Sequence, residues 1–424
     1  MPSRRIIVIG GGASGLMAAG QASLTGAETV LLEKMSKPGR KLCISGKGRC
    51  NVTNVAELSD FIQRFGKTGE FLRQAFGRFF STELMDFITS HGVPLVTERG
   101  GRVFSGTGSA YDVLDMFVRW LGQCNVRIIR SAEVVGLVVE DKKIRGVLCN
   151  AEKMKADAVI VAAGGASYPA TGSTGDGYRL AAAVGHRIIP VRPALVPLET
   201  TGDTACRMAG LNLRNITVRM LINGRKRRQE FGELVFAEFG LTGPVVLTLS
   251  GEAVDALLAE KNVIFSIDLK PALDERKLDA RLRRDFHSRG GEEIQGVLRG
   301  VLPKEMIAVC LESTEISQEK RAAEITSAER RRLRTWLKDF RLEISGFRPF
   351  TEAIVTAGGV DTKEVDPRTM ESRLIKGLYF AGEVLDIQAD TGGYNLQAAF
   401  STGWLAGRSA GTGYQLPFLS MQPE

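Results

Sequence analysis

The 424-residue chain is poor in several of the groups that usually carry chemistry. Its three histidines, His91, His186 and His287, stand alone, and none has zinc-ligand spacing. Six cysteines, at 43, 50, 124, 149, 206 and 310, form no CxxC pair. Zinc-site and thioredoxin-like readings are therefore weak, and no metal is expected. No run of 18 apolar residues exists, so neither a membrane-spanning helix nor a membrane partner is expected. Arg4 and Arg5 precede an apolar run, but it stops at Ile9 before three glycines, too short for a signal-peptide core. The thiols are expected to be free in a reducing, cytoplasmic setting. Long blocks of like charge are missing too. The strongest is Arg225 to Arg228, at an expected turn after Asn223-Gly224. With 56 basic and 48 acidic residues, the net charge of +8 is mild for the size. It reads as a solvated surface, and nucleic acid is not an expected partner.

Glycine is abundant instead: 48 residues, about 11% against a usual ~7%. The glycines cluster in GGGASG, SGKGRC, AAGGAS, TAGGV and DTGGYN, which suggests places where backbone comes close to something. Arg5 to Ile9 is apolar and β-branched without alternation, as in a buried parallel strand. An Ala-rich helix over 14–23 and a second strand over 29–32 complete a β-α-β unit. Residues 57–90 and 111–122 read as helical, and 126–129, 134–139, 146–149 and 157–163 as strands. The style changes near Pro190. Strands are expected over 216–222, 233–236, 245–249 and 263–269, then charged helices over 274–343. Over 270–345 there are 17 basic and 14 acidic residues, which reads as exposed helix faces. The glycine-rich style returns after Gly346. The fold class expected is α/β, an FAD-binding domain formed by 1–190 and 346–424, interrupted by a β-barrel-like insertion at 191–270 and a helical one at 271–345.

Gly10, Gly12 and Gly15 form G-x-G-x-x-G between a strand and a helix. Gly10 allows the tight turn, Gly12 leaves room for a pyrophosphate, and Gly15 lets helix and strand pack closely. The helix N-terminus then offers N–H groups to the phosphates. Glu33 ends the second strand, where an acidic side chain binds ribose hydroxyls and repels a 2′-phosphate, so FAD or NAD is expected rather than NADP. The far end of the chain selects FAD. Gly382-Glu383 closes a short strand, where the carboxylate can meet a ribityl hydroxyl. A helix beginning in TGGYNLQ can aim the N–H groups of Asn395 and Leu396 at the flavin N1–C2=O edge, where negative charge collects on reduction. The segment 39–54 reads as a basic glycine-rich loop. Arg40 and Lys41 could neutralise the pyrophosphate, and Ser45 to Asn51 could pass along the flavin or substrate.

The motifs GRKLCISGKGRCNVTN at 39–54, GGASYPATGSTGDG at 164–177, GLTGP at 240–244, TAGGV, GLYFAGEVLD and GGYNLQ together resemble one family. It is the BaiN/RdsA-type (YhiN-like) bacterial NAD(P)/FAD-dependent oxidoreductases, and the resemblance spans nearly the whole chain. It implies a glutathione-reductase-like FAD-binding Rossmann domain interrupted by a β-barrel plus helical insertion. Carried over at matching positions, it implies FAD contacts from Gly10, Gly12, Ala13, Ser14, Gly15, Glu33, Lys34, Arg40, Lys41, Ser45, Gly46, Arg49, Cys50, Asn51, Val134, Ala163, Gly164, Gly382, Glu383, Asn395 and Leu396. Relatives carry Gly where Lys47 stands, and the role of Lys47 is left open.

In a flavoenzyme the cofactor performs the hydride chemistry, and the protein orients and tunes it. The favoured expectation is a reductase in which NAD(P)H, docking transiently for want of a second GxGxxG, reduces FAD at N5, and an unsaturated small molecule accepts the hydride. Two alternatives stay open: an FAD oxidase returning electrons to O2, for instance from small amines, and a flavin-binding module whose insertion, with its basic turn at 225–228, binds a protein or RNA. Tyr168 and Tyr394 are the acid–base candidates in cofactor-facing motifs. The three histidines read as surface or structural, and Cys50 as a packing residue. The insertion is expected to wall the substrate pocket.

Overall fold

The computed structural model describes residues 3–413. By contact, the chain divides into two compact units. One runs up to Pro193 and resumes at Ala353; the other is Ala194–Glu352.

The first unit is organised by five parallel strands in the order Leu378–Phe380, Ala158–Val161, Arg5–Ile9, Glu28–Glu33, Arg127–Arg130. Ile6, Ile7, Val8 and Ala158–Val161 are fully buried, which is why their sequence shows no alternation: both faces of the sheet are covered. Chain connections leave the central strand Arg5–Ile9 toward both sides of the sheet. Its carboxyl end is therefore the switch point at which open α/β sheets hold ligands. The helix Ala13–Ser23 follows that strand, and the long helix Tyr394–Thr412 packs against it. Their approach is set by small residues four apart. A Cβ at Gly403 would lie 2.3 Å from the Ser14 carbonyl oxygen, and one at Gly407 2.3 Å from that of Ala18. The late segment of the chain is thereby locked to the earliest helix.

Segment 39–54 departs from the loop expected of it. Arg40–Gly48 is helical but broken at Ser45, Gly46 and Lys47, and Asn51–Asn54 is a strand paired with Arg102–Ser105. The glycines concealed the helix, since they sit where it breaks rather than where it runs. Lys47 and Cys50 both have left-handed backbone, with φ of 58° and 57°. That conformation favours glycine, so a lysine there carries some backbone strain.

In the second unit six strands close an antiparallel barrel in the order Leu198–Thr200, Gly240–Thr242, Arg225–Ala237, Asn212–Ile222, Val263–Asp268, Phe340–Phe347. Three expectations are corrected here. Residues 245–249 lie in a helix, Pro244–Leu258, and not in a strand. Pro244 opens that helix, and Val245, Val246 and Leu249 are buried in it, so an apolar β-branched run is equally at home in a covered helix. Arg225–Arg228 begins a strand paired with Met220–Ile222 rather than forming a turn. Helical structure ends at Lys338, and Phe340–Phe347 closes the barrel by pairing with both Val263–Ile267 and Leu198–Thr200.

Candidate active site

The residues expected to hold a dinucleotide gather at the carboxyl ends of the parallel strands. Gly10 has φ of 100°, and a Cβ there would lie 2.6 Å from the Ala162 carbonyl oxygen. At Gly15 a Cβ would be 1.8 Å from the Gly10 carbonyl oxygen, so helix and strand touch through bare backbone. Gly12 differs: nothing in the protein lies within 4 Å of where its Cβ would stand. Protein packing gives no reason for glycine there, and a bound pyrophosphate does. Gly12 also caps Ala13–Ser23 without any side-chain hydrogen bond. The positive end of that helix therefore faces the open space.

Glu33 is buried, and its two carboxylate oxygens are held separately. Oε2 accepts from Gly11 N at 2.8 Å and Oε1 from Met35 N at 2.7 Å. Each oxygen keeps a second lone pair for a sugar hydroxyl. Lys34 beside it binds Thr174 Oγ1 at 2.6 Å and pairs with Asp176. Gly39 N donates to Gly11 O at 2.8 Å, which brings the Arg40–Gly48 helix over the glycine turn. Val134 is buried at the start of its own strand, next to the Ala132 N–H that donates to Glu33 O.

Lys41 does not stand free to neutralise a pyrophosphate. Its ammonium binds Glu383 Oε2 at 2.7 Å and Ser167 Oγ at 2.5 Å. Glu383 Oε1 accepts from Thr356 N at 2.8 Å and Ser167 Oγ at 3.2 Å. Thr356 Oγ1 in turn accepts from Ala166 N and Ser167 N, at 2.8 and 3.1 Å. One polar knot thus joins four separate segments. The Glu383 carboxylate enters the site already oriented, with one acceptor position left for a ribityl hydroxyl. Ser167 and Thr356 have no assigned role in the sequence reading; they lie inside the GGASYP and TAGGV motifs, which were the available signal. Arg40 is exposed. Arg49 pairs with Glu98 at 2.6 Å and stacks 4.2 Å above the Phe104 ring.

Gly393 caps Tyr394–Thr412 without a side-chain bond, and a Cβ there would lie 2.2 Å from the Thr53 carbonyl oxygen. The N-terminus of that helix therefore rests on the strand Asn51–Asn54. With its amide turned so that the oxygen accepts from Gly393 N at 3.0 Å, Asn51 joins the same junction. Asn395 spends its side chain on Ala389, accepting from its N–H and donating to its carbonyl at 2.9 Å each, so only its backbone is left for a ligand. Gln388 Oε1, in the segment leading into this helix, is buried without a protein partner, an acceptor suited to a ligand N–H. Ala163 and Gly164 follow Ala158–Val161, and a Cβ on Gly382 would lie 2.5 Å from Ser14 Oγ. The open glycine cradle, the oriented carboxylates and the uncapped helix ends fit a dinucleotide with a second, C-terminal contact, as FAD requires.

Tyr394 is buried with its ring edge-on to Phe61 at 4.7 Å, a packing contact. Tyr168 stays half-buried at φ of 52°, a conformation tolerated where the surroundings enforce it. Cys50 is fully buried, and that burial pushes its thiol up to about 12, so it serves as packing. His186 is structural: Nδ1 lies 3.0 Å from Glu364 and Nε2 2.8 Å from Ser372, and burial holds it below the ordinary histidine range. His91 Nδ1 faces the Phe87 carbonyl oxygen at 2.7 Å.

Residues 4–409 match the family model described as the HI0933-like protein Rossmann domain. The chain belongs to this family. With the HI0933-like family it shares the FAD-dependent oxidoreductase class. It is 34% identical over 408 residues to a 3-dehydro-bile acid delta(4,6)-reductase of Clostridium scindens, covering 96% of this chain and 98% of that protein. It is 30% identical over 406 residues to a ribosomal RNA dihydrouridine synthase of Escherichia coli, covering 94% and 96%. In fold, this HI0933-like chain superimposes on a flavocytochrome c3 fumarate reductase with a TM-score of 0.51, at 16% identity, covering 97% of this chain and 78% of that one. A 3-ketosteroid delta1-dehydrogenase from Sterolibacterium denitrificans gives 0.52 at 12% identity, covering 98% and 100%. Both likenesses concern the fold alone. No helix among the described residues is long and apolar enough to cross a membrane.

Proposed function

We propose that the chain is an FAD-dependent reductase that takes hydride from NAD(P)H and delivers it through flavin N5 to a carbon–carbon double bond conjugated to a carbonyl. The first unit is proposed to bind the cofactor, and the cytoplasm is the proposed compartment, in keeping with six free cysteines. The observation that carries the reading is the open cradle at Gly12 between two oriented carboxylates, Glu33 and Glu383. The names of two relatives supply the acceptor. A delta(4,6)-reductase of a 3-dehydro acid and a dihydrouridine synthase both saturate a C=C bond in conjugation with a carbonyl. Such a bond accepts hydride at its β-carbon, because the charge moves onto the carbonyl oxygen.

Bound FAD supplies the hydride relay, and the chain's own residues hold it. When bound, FAD would be held with its ribose hydroxyls at Glu33, its phosphates at the Gly12 turn and the amides of Ala13 and Ser14, its ribityl chain at Glu383, and its N1–C2=O edge toward the N-terminus of Tyr394–Thr412. Tyr168 is the proposed proton donor to the acceptor. The test is anaerobic stopped-flow on the yellow protein. Bleaching by NADH or NADPH and recolouring by an enone such as cyclohexenone support the reading. Fast recolouring by air, without any reaction with either nicotinamide, assigns an oxidase instead.

A further inference from the structure

Residues 386–390, DIQAD, lead from the oriented carboxylate of Glu383 toward the helix Tyr394–Thr412, and their backbone is pinned at both ends. Asp386 N donates to Val360 O at 3.0 Å. At the other end the Asn395 side chain clamps Ala389, accepting from its N–H and donating to its carbonyl, and also donates to Asp390 O at 3.3 Å. Ile387 and Ala389 are both buried. Gln388 stands between them, one residue from the clamp, so its main chain is fixed relative to the first turn of the helix.

The neighbouring polar side chains are spent within the protein. Asp390 accepts from Arg64 at 3.1 Å. Gln397 accepts from the Thr53 hydroxyl at 2.6 Å and donates to Ser401 Oγ at 2.9 Å. Among the described residues of 386–397, Gln388 Oε1 is the buried side-chain acceptor left without a partner. Folded proteins rarely carry that penalty unless something outside the chain satisfies the group. What satisfies an amide oxygen must be a donor. The pyrimidine edge of a flavin presents N1 and C2=O as acceptors and, next to them, N3–H as a donor. The backbone N–H groups of Asn395 and Leu396 suit the two acceptors. No N–H group, lysine or arginine can serve N3–H, which requires an acceptor. Gln388 supplies one, held through Ala389 to the same Asn395. A neutral amide also suits that place better than a carboxylate, whose charge would oppose the negative charge that collects at N1–C2=O on reduction.

We propose that Gln388 Oε1 is the acceptor for the flavin N3–H, and so the side chain by which the site selects a flavin ring with that donor free. The inference rests on the FAD reading above. It assigns a ligand to an oxygen that the protein itself leaves unpaired, in a segment that none of the sequence motifs marks as a contact.

The experiment strips the full chain of flavin and titrates it with FAD and with N3-methyl-FAD, which lacks the donor, reading affinity from flavin fluorescence. The wild type is expected to prefer FAD by about tenfold or more, the effect of leaving a buried acceptor unpaired. Gln388→Ala removes the acceptor and leaves room for the methyl group. Its preference is expected to fall below about threefold, through weaker binding of FAD. Gln388→Glu keeps an acceptor, so it is expected to retain the preference and, at alkaline pH, to lower the reduction potential of the bound FAD. Should Gln388→Ala fail to fold, the potential of Gln388→Glu decides by itself. Equal uptake of both flavins by the wild type, an undiminished preference in Gln388→Ala, or an unchanged potential in Gln388→Glu each overturns the contact. So does a Gln388→Ala variant that gains N3-methyl-FAD while holding FAD as before, since Gln388 is then a steric neighbour without the hydrogen bond. Uptake of FAD without preference removes this contact alone and leaves the flavin reading standing, whereas uptake of neither flavin removes both. Nicotinamide bleaching is followed on the same samples. Its absence beside an intact preference removes the reductase step and leaves the contact.

Discussion

The two units of the chain place their polar groups differently. In the first unit, carboxylates and hydroxyls are buried and spent on backbone N–H groups: Glu33 on Gly11 and Met35, Thr356 on Ala166 and Ser167, Thr402 on Gly382. In the second unit the charges pair with one another on helix surfaces, as Arg283, Arg330 and Arg334 do with Asp279. Individual glycines show the contrast in packing. Gly15 and Gly403 stand where a Cβ would strike backbone, whereas Gly251, inside Pro244–Leu258, has nothing within 4 Å of its missing Cβ. A buried hydrogen bond to backbone fixes a strand end to within a few tenths of an ångström, which a ligand cradle needs. A surface ion pair contributes little rigidity and leaves charge available to the outside.

The sharpest break in this comparison would come from paired glycine substitutions. Gly15→Ala forces backbone apart and is expected to cost about 3 kcal/mol or more and to abolish flavin retention. Gly251→Ala is expected to be neutral or to stabilise by up to about 1 kcal/mol, through helix propensity. Chemical denaturation read beside flavin absorbance checks both, and equal effects would erase the distinction.

A smaller effect is expected at Glu33. Glu33→Gln leaves a donor facing one of two buried N–H groups, which costs about 2 kcal/mol of stability. FAD occupancy after gel filtration is expected to fall at least tenfold. Loss of stability with unchanged occupancy would make Glu33 a brace for the turn and no ribose contact.

The second unit has its own titration. Burial pushes the Glu329 carboxyl up, but the Lys320 ammonium and the N–H and hydroxyl of Thr326 outweigh it and hold it at about 2. Its folded value is therefore depressed, so its stabilising effect is complete above the ordinary value near 4.5 and is lost as pH falls toward 2. Melting curves of the wild type are expected to drop through that window, and Glu329→Gln to flatten the drop. A parallel pair of curves would show that the contact is not maintained in solution.

The smallest effect is at Lys47. Glycine relieves its left-handed backbone at φ of 58° but loses more chain entropy on folding, so Lys47→Gly is expected to stabilise by about 0.5 kcal/mol. A change in the rate of bleaching by nicotinamide in the same variant would show that this exposed cation also guards access to the flavin.

Much of the candidate site is legible in the linear order of residues. G-x-G-x-x-G, its preceding strand and Glu33 lie within one β-α-β unit, so local spacing is enough to bring them together. The motif around Tyr394 tells where the residue sits along the chain but not that its ring packs against Phe61. Helix Pro244–Leu258 was missed for a related reason: β-branched residues suit either a buried strand or a covered helix, and only the covering decides.

What the linear order determined by itself, then, is the set of short-range features: the parallel strands, the phosphate-binding turn and the glycines that let backbone meet backbone. Only the tertiary structure decided which partner the charges paired across distant segments take. Lys41 meets Glu383 from 342 positions away, and Arg330 meets Asp279 across two helices. Electrostatic energy depends on distance through space, and no window along the chain contains that distance.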